Sequence, residues 1–386
     1  MIEMRNACTF ELDDADAAAA EILGQLGKIP KNSVGILTCH AEYIDTGVVE
    51  ELYKRLPFDV LGCTALSTST RGEYGEDLLS LAVLSGDDVE FSAVSSAPLE
   101  GSDPAKMKSA ITEAYGRARK KLKGEPTLIF AILPILTDFG GAQIMRALDS
   151  AADGVPIYGK LSNDQTLSFE RSRVIWNGSS HKAIAAFLLM RGNISPKFYV
   201  TSIPEKNIQK QKAIITESDD YMLKKVNGIP FMEYLVSIGL TREQVVESAS
   251  SVPLLVDYGE GTKSVALGMY RITPEGYAVC GGEMPVGAGL VIGSIDYDGI
   301  ISTAETTLEN VLKKEGDVKG MFMFPCLSRS HMLSPNSMDE VRKVLNMVGK
   351  IPYLFSYAGG EICPVYGKDG KAYNRFHNYT FTACVF

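Results

Sequence analysis

Short apolar runs bounded by turn residues alternate along this chain with stretches whose apolar positions recur at helical spacing. From Ser33, SVGILTC has the continuous apolar character of a buried strand. In DTGVVEELYKRL, the positions of Val48, Val49, Leu52 and Leu56 predict a helix, with Thr46 available as a cap. FDVLGCTALST reads as a strand ending in small polar residues. LLSLAVLSGDD and VEFSAVSSA predict two more strands, with Gly-Asp-Asp as the hairpin turn between them.

The order then recurs. TLIFAILP is a strand, GAQIMRALDSAA an amphipathic helix and VPIYGKLSND a strand ending in polar residues. AIAAFLLMRGN and SPKFYVTS form a turn-linked pair around Gly192-Asn193. Val34-Gly-Ile-Leu aligns with Ile129-Phe-Ala-Ile, and Leu61-Gly-Cys with Tyr158-Gly-Lys. A third, partial version follows near the end: GMFMFPCLSR, SMDEVRKVLNMV, IPYLFSYAGGEICPV and FHNYTFTACVF. Matching order and spacing of elements, rather than identity of letters, marks the repeat. It predicts an α+β fold of layered mixed sheets flanked by helices, built from repeated β-α-β-β units.

Two domains are expected from the length of 386 residues. The first, residues 1–205, holds two units. The second, 206–386, follows a polar, charge-dense join, SIPEKNIQKQKAIITESDD. It opens with a helix-rich stretch, DYMLKKVNGIPFMEYLVSIGL, broken at Asn227-Gly-Ile-Pro. Strands are predicted in SVALGMYRIT and GYAVCGGEMP, then a turn at GSIDYDGI and a helix over 302–314.

Composition narrows the function. Hydrophobic residues make up 45% and charged residues 22%, as in ordinary globular proteins. A net charge of −9 leaves no basic footprint for nucleic acid and none for an anionic membrane surface. No apolar run reaches a membrane span, and the N-terminus lacks a signal-peptide core, so a cytoplasmic protein is expected. The seven cysteines are scattered with no CxxC, which indicates neither a disulfide framework nor a zinc site. Glycine pairs such as Gly281-Gly282 fit neither G-x-G-x-x-G nor GxxxxGK[ST], so they read as turn and packing glycines.

The candidate chemistry lies in the last sixty or so residues. Cys326 and Arg329 follow a buried strand, and Tyr357, Gly359, Gly360 and Glu361 follow the next. Asn378 and Thr380 open the final strand. Arg329 offers a planar fork for a carboxylate, and Glu361 an acceptor for an ammonium. The two glycines allow close backbone approach to a bound group. Together these residues suit a small zwitterion such as an amino acid. The alternative is structural: an Arg329–Glu361 ion pair, Asn378 and Thr380 satisfying loop backbone, and Cys326 as a small core residue. An enzyme would use Cys326 as nucleophile with His331 or His377 as base, its thiol acidified by Arg329. With no cysteine-hydrolase signature, binding ranks above catalysis. Four histidines without CxxCH give a weak basis for haem.

The chain resembles FIST-domain proteins, with an N-terminal module followed by a C-terminal one. VGILTCHAEY, LGCTALSTSTRGEYGEDLLSLAVL, FAILPILTDFGGAQIMRAL, VPIYGKLSND and RVIWNGSSHKAIAAFLL carry the first module. VNGIPFMEYLVSIGL, FPCLSRSHML, SYAGGEICPV and HNYTFTACVF carry the second, with Cys326 and Arg329, Gly360 and Glu361, and Asn378 and Thr380 as its most specific elements. The resemblance implies a prokaryotic sensory module for a small ligand, with amino acids proposed for the family. Related modules serve histidine kinases, cyclic-nucleotide enzymes and chemotaxis receptors. No such output segment remains after both modules are assigned, so a separate output protein or a homo-oligomer is expected. Some family members resemble haem-binding nitric oxide sensors, but no histidine lies between His181 and His331 here. The expectation is a ligand sensor without a cofactor and without catalysis.

Overall fold

The computed structural model describes residues 2–99, 101, 103–137, 140–166, 168–247 and 251–386. Three copies of one unit build most of the molecule. The first runs β1 (Glu3–Thr9), α1 (Ala15–Leu26), β2 (Ser33–Cys39), α2 (Glu42–Asp45), α3 (Val48–Arg55) and β3 (Val60–Thr64). It ends with a short hairpin, β4 (Thr68–Thr70) and β5 (Glu73–Gly75), and then β6 (Leu79–Ser85). The second runs β7 (Val89–Ser95), α4 (Pro104–Arg119), β8 (Leu128–Leu133), α5 (Gly141–Ala152) and β9 (Ile157–Leu161). Its hairpin is β10 (Val174–Trp176) and β11 (Ser179–His181), and its last strand β12 (Ala186–Gly192).

The third unit starts with β13 (Lys197–Thr201) and is interrupted by an insertion. The insertion comprises β14 (Ala213–Asp219), β15 (Met222–Val226), β16 (Ile229–Pro230), α6 (Phe231–Ser237) and α7 (Arg242–Glu247). It continues with β17 (Leu254–Asp257), β18 (Val265–Leu267), β19 (Met269–Ile272), β20 (Ala278–Cys280) and β21 (Gly289–Ile292). The unit resumes with α8 (Tyr297–Lys314), β22 (Met321–Pro325), α9 (Leu327–Leu333), α10 (Asp339–Val348) and β23 (Tyr353–Ser356). Its hairpin is β24 (Glu361–Tyr366) and β25 (Ala372–His377), and β26 (Phe381–Val385) closes it.

Three six-stranded sheets share one plan. Their orders are β1-β6-β2-β3-β10-β11, β7-β12-β8-β9-β24-β25 and β13-β26-β22-β23-β4-β5. In each, one parallel pair sits in the middle: β2 with β3, β8 with β9, β22 with β23. Each hairpin leaves its own unit and extends another unit's sheet: β4–β5 joins the third, β10–β11 the first and β24–β25 the second. Strands from both sides of residue 205 therefore share sheets.

The expectation of mixed sheets, flanking helices and a repeated unit matches this architecture. Inner faces from all three units meet in one core around Val34, Ile36, Phe130, Tyr158, Phe322 and Phe324. Helices cover the outer faces, each pair with its own cluster. Caps start the long helices: Asp14 accepts from Ala17 N, Asp103 precedes Pro104, and Asp296 accepts from Gly299 N.

Several expectations are corrected. The chain makes a tight turn after β6 and again after β12, but neither turn closes a hairpin. β7 pairs with β12, and β13 with β26, so each turn hands the chain to a new sheet. The repeat also begins earlier than Ser33, with β1 and α1, making the unit β-α-β-α-β-β plus a donated hairpin. The strand alignment of Val34 with Ile129 slips by one residue. Gly35 pairs with Val60 as Ile129 pairs with Ile157, and a one-residue slip exchanges the two faces of a strand. The start of the helix-rich stretch is β15, not helix. Its buried Leu223 and Val226 lie three apart, as on a helix, while register shifts in the β14–β15 pairing keep both inward. Asn227-Gly228, both at positive φ, forms a hairpin turn to β16 rather than a helix break. Helix α8 begins at Tyr297, ahead of the expected 302.

Candidate functional site

The eight expected site residues do gather at the ends of β22, β23 and β25, but most are sealed into structural roles. Arg329 on α9 is buried beside Glu340 of α10. Its Nε donates to Glu340 Oε1 at 2.9 Å, and its Nη2 to the same oxygen at 2.5 Å. Further bonds run to the carbonyls of Ile300 and Tyr379 and to Thr303 Oγ1. Tyr357 completes this cluster by donating to Glu340 Oε2 at 3.0 Å. The guanidinium is thus committed to Glu340, eleven residues along, and offers no open fork; neither the ligand role nor the Arg329–Glu361 pair is what the geometry shows.

The two glycines serve packing. A Cβ on Gly359 would lie 2.7 Å from Ser162 O, and one on Gly360 only 2.2 Å from the Phe376 ring. Asn378 fastens the insertion to the third unit: its Oδ1 accepts from Gly268 N and its own N donates to Ala266 O. Cys326 is 3% exposed and sits between β22 and α9. Burial, and then the Glu361 carboxylate, push its thiol well above the ordinary range. That is the reverse of the acidification expected from Arg329.

Glu361 is different. It is fully buried, and only one of its oxygens has a partner: Oε2 accepts from Thr380 Oγ1 at 2.7 Å and Thr380 N at 3.2 Å, whereas Oε1 has none. Burial pushes its pKa up to about 8, against the hydrogen bonds from Thr380. Cross-strand register places Lys160 opposite Glu361 on one side and His377 on the other. Residues directly opposed share a face, so three buried titratable groups form a row across β9, β24 and β25. At one end, Lys160 Nζ donates to Ser356 Oγ at 2.8 Å and Tyr357 O at 2.6 Å. Cys63, Lys160 and Ser356 are each the fourth residue of equivalent strands, so three unlike side chains occupy equivalent positions. Burial lowers the Lys160 pKa.

At the other end the row reaches open space. A cleft of about 460 Å³ lies between the third unit and the insertion, lined by Thr201, Thr262, Lys263, His377 and Thr380, with Lys212 at its edge. His377 is 1% exposed; its Nε2 bonds to Cys363 O at 2.9 Å while Nδ1 has no partner. Burial lowers its pKa to about 4, so Nε2 carries the proton and Nδ1 is an acceptor at neutral pH. Thr262 Oγ1 is likewise buried without a partner. A second hollow continues from it past Thr201 and Lys263 to Thr307 and Lys314. No Asp or Glu lines either space among the described residues.

Of the eight expected residues, Thr380 alone lines this cleft, with Glu361 directly behind it. The sequence singles out His377 only as a base for Cys326 and as one of four histidines for haem. Thr262 and Lys263 carried no signal beyond a polar run between two glycines and a strand. Among the described residues no cluster of three or more His, Cys, Asp or Glu could hold a metal ion.

The FIST N domain matches residues 33–229 and the FIST C domain residues 230–364. The chain belongs to the FIST family, whose domains are sensory domains of signal-transduction proteins. No curated protein sequence matches it. Among solved structures, it is similar to cyanuric acid hydrolase from A. caulinodans at 9% identity and a TM-score of 0.40, over 100% of this chain and 99% of that one. A second cyanuric acid hydrolase, described as an evolutionary innovation by structural concatenation, aligns at 9% identity and a TM-score of 0.30, over 76% of this chain and 99% of that one. No helix among the described residues is long and apolar enough to cross a membrane.

Proposed function

We propose that this protein senses a free amino acid, or a similarly small anionic metabolite with an N–H donor, in the cleft between the insertion and the third unit. The observation that carries the reading is the unpartnered Nδ1 of buried His377 in a cleft rimmed by lysines and free of carboxylates. Lys263, Lys212 and the threonine hydroxyls suit a carboxylate; His377 Nδ1 suits the ammonium. A ligand that contacts both the insertion and the third unit favours whichever of their arrangements it binds best, which is how binding is converted into a change that a partner reads.

A thermal-shift screen of the amino acids tests this. A true ligand at a hundredfold excess over its Kd adds about 2.7 kcal/mol of stability. His377→Gln and Lys263→Ala should abolish the shift while the far-ultraviolet circular dichroism stays native. If no amino acid shifts the wild type, or both variants respond as it does, the cleft is not the site.

A further inference from the structure

We propose a second small-molecule site, for a phosphate or phosphomonoester group, at the seam between the first and third sheets. A cavity of about 520 Å³ opens there, and Arg5, Arg71 and Lys350 line it together with Asn6 and Tyr353. These three cations come from β1, from the turn of the donated β4–β5 hairpin and from the loop before β23. None of them makes an ion pair among the described residues, and no carboxylate lines the cavity. In a chain of net charge −9, three unneutralised cations converging on one hollow make a local positive potential that favours an anion.

Two details specify which anion. One Arg5 Nη1 bond goes to Lys28 O, and one Arg71 Nη1 bond to Asn6 O, so each guanidinium is anchored at one end with donors to spare. Such a fork matches the tetrahedral edge of a phosphate. Asn6 is 7% exposed; its Nδ2 donates to Tyr353 O at 2.9 Å, which fixes the amide, and its Oδ1 has no partner. The ligand must therefore also bring an O–H or N–H. Hydrogen phosphate and a singly protonated phosphomonoester meet both demands, whereas a plain carboxylate meets one. The turn itself supplies an independent pointer. Arg71 and Gly72 stand at φ 54 and 86, the left-handed pair of a hairpin turn that favours Asn-Gly or Asp-Gly. Arginine has no conformational advantage there, so its side chain is what the position provides.

Calorimetric titration at fixed ionic strength would use inorganic phosphate, methyl phosphate and acetate as probes. Phosphate, methyl phosphate or both should bind, the stronger of the two identifying the source, and acetate should bind at least tenfold more weakly. Arg71→Asn, which keeps the turn, and Lys350→Ala should each weaken binding about tenfold, and Asn6→Asp should abolish it. Lys263→Ala in the other cleft should leave it unchanged, so failure here and failure of the amino-acid reading are distinguishable. The proposal is overturned if neither phosphate probe binds the wild type, if Arg71→Asn binds as well as the wild type, or if acetate binds equally.

Discussion

Glu361 is the residue on which the buried row turns. Its pKa near 8 stands above the ordinary carboxylate value of 4.5, so the folded state holds a proton that the unfolded chain has released between those pH values. Its contribution to stability is therefore greatest below about pH 4.5 and is lost as pH rises to about 8. His377 has the opposite sign: lowered from 6.5 to about 4, it favours the fold above 6.5 and disfavours it as pH falls through that window. Urea denaturation of Glu361→Gln should lack the decline that the wild type shows between pH 5 and pH 8. Parallel curves for the two proteins would mean that the carboxylate is ionised in the fold. Glu361 itself was legible in the sequence, in the Gly-Gly-Glu run. His377 was legible too, as a nearby histidine, but Lys160 was not, because register between strands two hundred residues apart brings it into the row.

At the scale of elements, the parallel central pairs depend on close approach. A Cβ on Gly159 would lie 1.9 Å from Ala131 O of the adjacent strand, a backbone atom that cannot move aside. Gly159→Ala should therefore lose about 2 kcal/mol or more in denaturant unfolding. Gly116→Ala, inside α4 with no atom within 4 Å of its Cβ, should gain up to about 1 kcal/mol. If the two variants move stability in the same direction, the strand spacing is wrong. The equivalence of Leu61-Gly-Cys and Tyr158-Gly-Lys shows in the letters because both strands need glycine at this point. The third unit places Phe355 there, and the match faded accordingly.

For the whole molecule, the donated hairpins make the three units interdependent. Residues 1–205 alone would lack β24–β25 against β9, and β4–β5 would lose β23. That fragment should therefore give poorly dispersed amide resonances and weak hydrogen-exchange protection, whereas the full chain should unfold in one cooperative transition. A well-dispersed spectrum from the fragment would mean that its sheets need no partner strands. The sequence by itself determined the strand and helix content, the repeat and the family, because these follow from hydrophobic period and from motifs along the chain. Which strands pair was decided only in three dimensions. A turn such as Gly86-Asp87-Asp88 looks the same whether it closes a hairpin or passes the chain to another sheet. The site was decided there too. Arg329 looked available because Glu340, whose negative charge claims it, announces nothing in the sequence. The cleft at His377 exists only because an inserted domain folds back over the third unit.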